Sequence, residues 1–103
     1  MSAMPSPDQT RPVADNPDRS RFEIFDGAHV AGFAAYQRGP GEITFTHTEV
    51  EPAYEGQGMA GDLVRAALDQ VRAEGLRVVP RCPYVKKWIS RHPDYQDLVG
   101  APT

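Results

Sequence analysis

The spacing of apolar and polar residues changes near residue 55, and it predicts strands before that point and mainly helices after it. In the first part, three apolar-rich segments bounded by turn-forming residues each predict a strand: 22–25, His29–Tyr36 and Glu42–Val50. Asp26-Gly27 and residues 38–41 predict the short turns between them, so the strands should form an antiparallel meander. The middle strand is mostly apolar, which is typical of a strand covered on both faces.

A helical repeat follows this meander. Apolar side chains recur at intervals of three and four residues and form one stripe: Ala60, Leu63, Val64, Ala67, Leu68 and Val71. Gly75 is placed to end this helix with a left-handed cap, and residues 76–79 predict a short strand. Pro83 suits the first residue of a second helix that His92-Pro93 ends, and residues 95–99 fit a last strand or an irregular end. The predicted fold is α+β, a mixed and mostly antiparallel sheet flanked by helices.

The N-terminal twenty residues differ in composition from the rest of the chain. They hold four of the ten prolines and few apolar side chains, so they cannot bury enough surface to offset the entropy lost on ordering. We therefore predict a flexible tail over residues 1–20 and a single domain over residues 21–103, in keeping with a length of 103 residues.

Composition and charge exclude several classes of function. The net charge of −3 argues against a general nucleic-acid binder, and no apolar run is long enough to predict a transmembrane helix. The start of the chain does not resemble a secretory signal. The single cysteine, Cys82, excludes an internal disulfide and a CxxC metal knuckle, so no metal site is expected. We expect a cytoplasmic protein without nucleic-acid or membrane partners, for which a monomer is plausible.

Three glycines between the last strand of the meander and the first helix carry the main chemical signal. Gly61 falls in the first helical turn, where glycine costs about 1 kcal/mol relative to alanine. Because first-turn N–H groups and the positive end of the helix dipole bind phosphate, the loop predicts an anion site. The alternative is a flexible turn with a weak helix start. Residues 56–61 also match GxGxxG, but the next strand ends without a carboxylate, which disfavours a dinucleotide site.

At this loop the chain resembles a known family. The order of elements here is a strand, the segment Glu55-x-x-Gly58-x-Ala60 and a helix. It resembles the pyrophosphate loop of the GCN5-related N-acetyltransferases, or GNAT family, whose pattern is Gln/Arg-x-x-Gly-x-Gly/Ala. Glu55 departs from that pattern. The short length, residues 47–50 and residues 82–95 resemble the minimal YjdJ-type subgroup, and the resemblance covers residues 22–97. It implies a small mixed sheet that binds acetyl-CoA where two central strands separate.

The resemblance also implies roles for individual residues. Backbone N–H groups of the loop would bind the CoA pyrophosphate: Gln57, Gly58, Met59, Ala60 and Gly61. The strand end at Glu49, Val50 and Glu51 would pair with the pantetheine arm, while Cys82 and Tyr84 would line the other side of the thioester channel. The helix tyrosine that often protonates the leaving thiolate in larger members aligns with Ile89 here, which removes that acid.

The residues themselves supply candidates for a base and a nucleophile. Along the third strand Ile43, Phe45, His47 and Glu49 alternate and share one face if no bulge intervenes. His47 or a desolvated Glu49 would serve as the base that deprotonates an attacking amine; the alternative is a solvated strand end.

Cys82 lies beside basic residues at a predicted helix start, so its thiolate is a candidate acyl acceptor; the alternative is a small buried hydrophobe. Residues 76–92 hold five basic and no acidic side chains. This stretch, Lys87 included, would meet the CoA phosphates or form a solvated helix face.

The leading hypothesis is an acetyl-CoA-dependent N-acetyltransferase that acts on an amine of unknown identity, either a small molecule or a protein lysine. The second is a non-catalytic module that binds CoA or a nucleotide, which the missing helix tyrosine favours. The third is a dinucleotide-binding fragment, supported only by GxGxxG.

Overall fold

A computed structural model describes residues 11–99 and contains one five-stranded sheet with two α-helices. The strands are β1 (Val13–Asn16), β2 (Arg21–Asp26), β3 (His29–Gly39), β4 (Glu42–Val50) and β5 (Arg77–Pro80), and they lie in that order across the sheet. The helices are α1 (Met59–Ala73) and α2 (Pro83–Ser90). Within the described residues, three short 3₁₀ segments span Pro17–Arg19, Pro52–Tyr54 and Pro93–Leu98. All neighbouring strands are antiparallel except β4 and β5, which are parallel. The predicted α+β class and its mostly antiparallel sheet are confirmed.

The sheet begins earlier than the sequence predicted. β1 pairs with β2, with Val13 opposite Ile24. Asp15 on β1 accepts a 2.5 Å hydrogen bond from the Tyr36 hydroxyl. The predicted tail is therefore wrong for residues 13–20, since strand pairing, hydrogen bonds and the packing of Val13 against the core hold this mostly polar segment. Residues 1–10 of the predicted tail lie outside the described residues.

One face of the sheet, the helix face, carries the core. The fully buried side chains of the strands meet the apolar stripe of α1 there: Phe22, Ile24, Ala34, Ile43, Phe45 and Val78 from the sheet, and Met59, Leu63, Val64, Ala67, Leu68 and Val71 from the helix. Gly75 has a φ of 72° and closes α1 as predicted. Its N–H donates to the Arg72 carbonyl, and the N–H of Leu76 donates to the Val71 carbonyl.

The opposite face, the outer face, is open. Within residues 11–99 both helices contribute their buried side chains to the cluster on the helix face. The prediction that the middle strand is covered on both faces is therefore wrong. Its outward side chain Phe33 is half-buried, and the Arg21 guanidinium 4.4 Å above its ring and the His47 ring beside it cover part of it.

A bulge in β4 changes which residues face the core. Ala35 pairs with His47 and Tyr36 pairs with Phe45, so Thr46 is an extra residue without a partner. After the bulge Thr48 joins Phe45 on the helix face, and His47 moves to the outer face. The expectation that Ile43, Phe45, His47 and Glu49 share one face is therefore wrong, because one inserted residue reverses the alternation.

β4 and β5 separate beyond the bulge. They pair only over Glu42–Phe45 and Arg77–Pro80, and the N–H of Cys82 then donates to the Phe45 carbonyl at 2.8 Å. From residue 46 to residue 50, β4 pairs with β3 alone among the strands of the described chain. One edge of β4 is thus open.

The turn before β4 and the end of the described chain also differ in detail from the predicted elements. β3 extends to Gly39, so the turn before β4 is shorter than predicted. Residues Pro93–Leu98 form a 3₁₀ segment, and Val99 makes only an isolated bridge to Val78. No helix between residues 11 and 99 is long and apolar enough to cross a membrane.

Candidate functional site

A cavity of about 360 Å³ opens on the helix face where β4 leads into α1. We call it the helix-face cavity, and its lining residues are Thr48, Val50, Tyr54, Glu55, Gly56, Gly58, Met59, Ala60, Gly61 and Tyr84. The predicted strand end and the predicted glycine loop therefore meet in one place.

The glycine loop is shaped by backbone conformations that favour glycine. Gly56 and Gly58 have φ values of 84° and 75°, and a Cβ on either would meet nothing within 4 Å. These glycines are therefore required for their left-handed conformation and not for space. Gly58 caps α1 without any side-chain hydrogen bond.

The first turn of α1 is left without acceptors. In residues 11–99, no backbone or side-chain acceptor receives the N–H groups of Met59, Ala60 and Gly61. These donors, at the positive end of the helix dipole, fit an anion such as a phosphate.

Gly61 brings the second helix close to this turn. A Cβ on Gly61 would lie 3.5 Å from Trp88 Nε1 and 3.7 Å from the Tyr84 hydroxyl. Burial raises the pKa of Tyr84, and the Asp62 carboxylate adds to the effect. The Tyr84 hydroxyl therefore stays protonated at neutral pH and is available as a donor at the cavity wall.

One carboxylate opposes this donor set. Glu55 is exposed and lines the cavity beside the glycines. Its neighbour Tyr54 anchors the loop, since its hydroxyl donates a 2.7 Å hydrogen bond to Asp26. The loop thus has a fixed start and a set of free N–H donors. The carboxylate of Glu55 opposes an anion there, and a second carboxylate, that of Asp62, lies in the first turn of α1.

Cys82 lies behind the cavity and does not line it. Its side chain is 3% exposed, and its Sγ lies 3.4 Å from Oγ1 of Thr48, which does line the cavity. Cys82 is also the N-cap residue of α2. The thiol is therefore one side chain away from the open edge of β4.

The other residues predicted to bind acetyl-CoA divide into two groups. Val50 lines the helix-face cavity, whereas the exposed side chains of Gln57 and Lys87 lie outside its lining. Glu51 turns its N–H toward β3, where it donates to the Ala31 carbonyl at 2.8 Å, so that N–H is not free for a ligand.

The predicted bases lie on the outer face. His47 Nε2 is 3.0 Å from Glu49 Oε1, and the two side chains are 59% and 63% exposed. The structure thus brings Val50 to the loop and separates His47 and Glu49 from it by the thickness of β4. The sequence did not predict that Thr48 and Tyr54 line the cavity. Strict alternation along β4 assigns Thr48 to the outer face, and only the bulge at Thr46 brings it to the helix face.

Comparison with known proteins agrees with this architecture. A family model described as GCN5-related N-acetyl-transferase matches residues 21–98. Protein NATD1 of Bos taurus is 35% identical over 92 residues, which covers 85% of this chain and 81% of that protein. Protein NATD1 of Homo sapiens is 33% identical over 90 residues, covering 84% and 80%.

Solved structures share the fold at lower identity. A GCN5-like solution structure from Staphylococcus aureus has a TM-score of 0.67 at 22% identity and covers 89% of this chain and 90% of that one. The ribosomal-protein-alanine N-acetyltransferase of Brucella melitensis has a TM-score of 0.56 at 18% identity, covering 84% and 65%. With a family match over residues 21–98 and relatives above 30% identity, this chain belongs to the GCN5-related N-acetyltransferase family.

Proposed function

We propose that this chain binds acetyl-CoA in the helix-face cavity and transfers the acetyl group to an amine. The observation that carries this proposal is the position of the free N–H donors of α1 next to the open edge of β4. A diphosphate fits the donors at Met59, Ala60 and Gly61, and the amide-containing pantetheine arm fits the unpaired edge between residues 46 and 50. These two features together match the two halves of CoA.

Positive charge on α2 and its adjoining loops favours the same ligand. The basic side chains of residues 77–91 are all exposed on β5, α2 and the adjoining loops: Arg77, Arg81, Lys86, Lys87 and Arg91. Those on α2 and its adjoining loops attract the CoA phosphates, and Lys87 is proposed for a direct contact because it follows Tyr84 by one helical turn. Arg77 lies opposite Glu42 at the other end of β4 and takes no part. Glu55 acts against this attraction.

Direct transfer uses the groups on β4. The attacking amine approaches from the outer face, loses a proton there to Glu49 or His47, and its nitrogen forms a bond to the thioester carbon past the open edge of β4. The carbon–sulfur bond then breaks, and CoA leaves as a thiolate that takes up a proton. Ile89 is 4% exposed in the core and offers no proton, so this proton comes from solvent or from the Tyr84 hydroxyl.

A covalent route through Cys82 is the alternative within the same function. Its thiolate would attack the thioester carbon, release CoA and pass the acetyl group to the amine in a second step. Intact-mass measurement after incubation with acetyl-CoA decides between the routes. An acetyl adduct that is absent in Cys82→Ser supports the covalent route, and full activity of Cys82→Ser excludes it.

Ligand-dependent melting tests the binding proposal. Acetyl-CoA should raise the melting temperature, and Gly58→Asp should abolish this rise because a carboxylate would face the diphosphate. Gly41→Asp is the matched control, since Gly41 has a φ of 72° and equally open surroundings but lies at the β3–β4 turn. A rise that persists in Gly58→Asp, or no rise with millimolar acetyl-CoA, contradicts the proposal.

A second function is favoured by one observation. The position of the family's helix tyrosine holds a buried Ile89, which fits a non-catalytic module that binds CoA or a nucleotide. Release of free CoA in the presence of a mixture of amines, beyond hydrolysis in buffer, excludes this module. Acetyl-CoA binding without such release supports it.

A further inference from the structure

A second cavity lies on the outer face, on the other side of β4 from the helix-face cavity. It has a volume of about 200 Å³, and we call it the outer cavity; its lining residues are Arg21, Val30, Ala31, Gly32, Phe33, Glu49 and Glu51. Successive residues at the end of β4 and directly after it alternate between the two cavities: Thr48 and Val50 line one, Glu49 and Glu51 the other. A molecule in the outer cavity is therefore one strand away from the proposed pantetheine arm.

The outer cavity presents two carboxylates that have only histidines as partners among the described residues. Glu51 Oε1 lies 2.8 Å from His29 Nε2, and Glu49 Oε1 lies 3.0 Å from His47 Nε2. Both carboxylates are about half exposed, at 47% and 63%. When these histidines are neutral, the cavity carries two uncompensated negative charges.

Among the described residues, Arg21 is the one cation of the lining, and its charge is already neutralised. The Arg21 Nε lies 2.8 Å from Oε2 of Glu23, whose side chain is 8% exposed. The Arg21 guanidinium also stacks on the Phe33 ring. Glu23 therefore balances the charge of Arg21, whereas no described cation other than a histidine is paired with Glu49 or Glu51.

We propose that the outer cavity binds the acyl acceptor, and that this acceptor is a small aliphatic diamine or polyamine. The inference rests on the proposed acetyltransferase function and adds the substrate class. Methylene groups fit the wall formed by Val30 and Phe33, and two ammonium groups fit the carboxylates of Glu49 and Glu51. The small volume favours a short chain over a protein segment.

The reaction balances in this arrangement. The ammonium group near Glu49 gives one proton to the Glu49–His47 pair, and the resulting neutral nitrogen attacks the thioester carbon across the open edge of β4. The carbon–sulfur bond breaks, the second proton passes to the CoA thiolate, and an amide remains. The product keeps only the ammonium group held by Glu51, so it binds more weakly than the substrate and leaves.

Kinetics with two amines of equal chain length, one with two ammonium groups and one with a single ammonium group, test whether Glu51 binds the second ammonium group. The kcat/KM for putrescine should exceed that for n-butylamine by about tenfold or more, and Glu51→Gln should reduce this ratio by about three- to tenfold. Glu42→Gln is the matched control, because Glu42 lies on the same strand and the same face but at its other end. Equal values for the two amines, a ratio unaltered by Glu51→Gln, or a preference for a lysine-containing peptide overturns the proposal.

A binding measurement separates this proposal from the proposed function. In amide NMR spectra of the full chain, putrescine should shift the signals of residues 30–33 and 49–51 more strongly than n-butylamine does, and Glu51→Gln should reduce these shifts. Absence of shifts with millimolar putrescine, in a chain whose melting temperature still rises with acetyl-CoA, overturns the outer-cavity assignment alone. Failure of acetyl-CoA to raise the melting temperature overturns the proposed function, whatever putrescine does.

Discussion

At the scale of single residues, Glu55 is the position where this chain departs most from what its cavity requires. It lines the cavity beside the glycines that lead into the free N–H donors of α1. A negative charge there opposes a diphosphate by Coulomb repulsion, which solvent and salt weaken but do not remove. We therefore expect Glu55 to lower the affinity for the proposed CoA ligand.

Replacement of Glu55 tests this repulsion. Glu55→Gln should tighten CoA binding by about two- to fivefold, and the gain should shrink as salt is added. The chain has a single tryptophan, Trp88, whose indole nitrogen is next to Gly61, so its fluorescence provides a titration signal. Glu42→Gln makes the same charge change far from the cavity and should leave the affinity unaltered. Weaker CoA binding by Glu55→Gln would show that the carboxylate contacts the ligand favourably.

Gly32 sets how closely β3 and β4 approach. A Cβ on Gly32 would lie 2.8 Å from the Glu49 carbonyl oxygen and 3.0 Å from Val50 Cγ2. Gly32→Ala should therefore lower the free energy of unfolding by about 1–3 kcal/mol, measured by urea denaturation. Gly39→Ala, on the same strand, meets only ordinary contacts at 3.6 Å or more and should change stability by less than about 1 kcal/mol. Equal effects of the two substitutions would contradict this packing.

At the scale of elements, sequence periodicity predicted those parts whose apolar side chains alternate or repeat regularly. β4 and α1 were predicted within a residue or so of their observed limits, because their core-facing side chains leave few other arrangements. β1 was missed, since a four-residue edge strand with two polar side chains has no distinctive pattern. The bulge at Thr46 was unpredictable for the same reason, and it alone moved His47 away from the predicted site.

The link between α1 and the last 3₁₀ segment gives a pH-dependent prediction. Arg72 donates to both carboxylate oxygens of Asp97, at 2.8 and 3.0 Å, and this contact holds the pKa of Asp97 below its ordinary value of 3.8. Because the folded-state pKa is the lower one, the stabilisation is complete above the ordinary value and is lost as the pH falls through the folded-state pKa.

Asp97→Asn should accordingly lower the melting temperature at neutral pH, and the difference from the unaltered chain should vanish in strong acid. Asp94→Asn is the control, since Arg72 contacts Asp94 through its backbone carbonyl at 2.7 Å. A difference between the Asp97→Asn and unaltered chains that persists at low pH would show that the carboxylate stabilises by something other than its charge.

At the scale of the whole molecule, the sheet separates two chemical environments. The helix face presents the free N–H donors of α1, and the outer face presents Glu49 and Glu51. Exposed basic side chains lie on α2 and the loops at its two ends. A net charge of −3 averages these two regions and conceals them. An anionic donor on one face and a cationic acceptor on the other would meet at the open edge of β4, where no strand of the described chain intervenes.

The most direct test of this account is a crystal structure of the chain with acetyl-CoA. The diphosphate should lie within hydrogen-bond distance of the backbone nitrogens of Met59, Ala60 and Gly61, and the pantetheine arm should lie along residues 46–50 of β4. CoA bound elsewhere on the molecule, or an empty helix-face cavity at saturating acetyl-CoA, would contradict it.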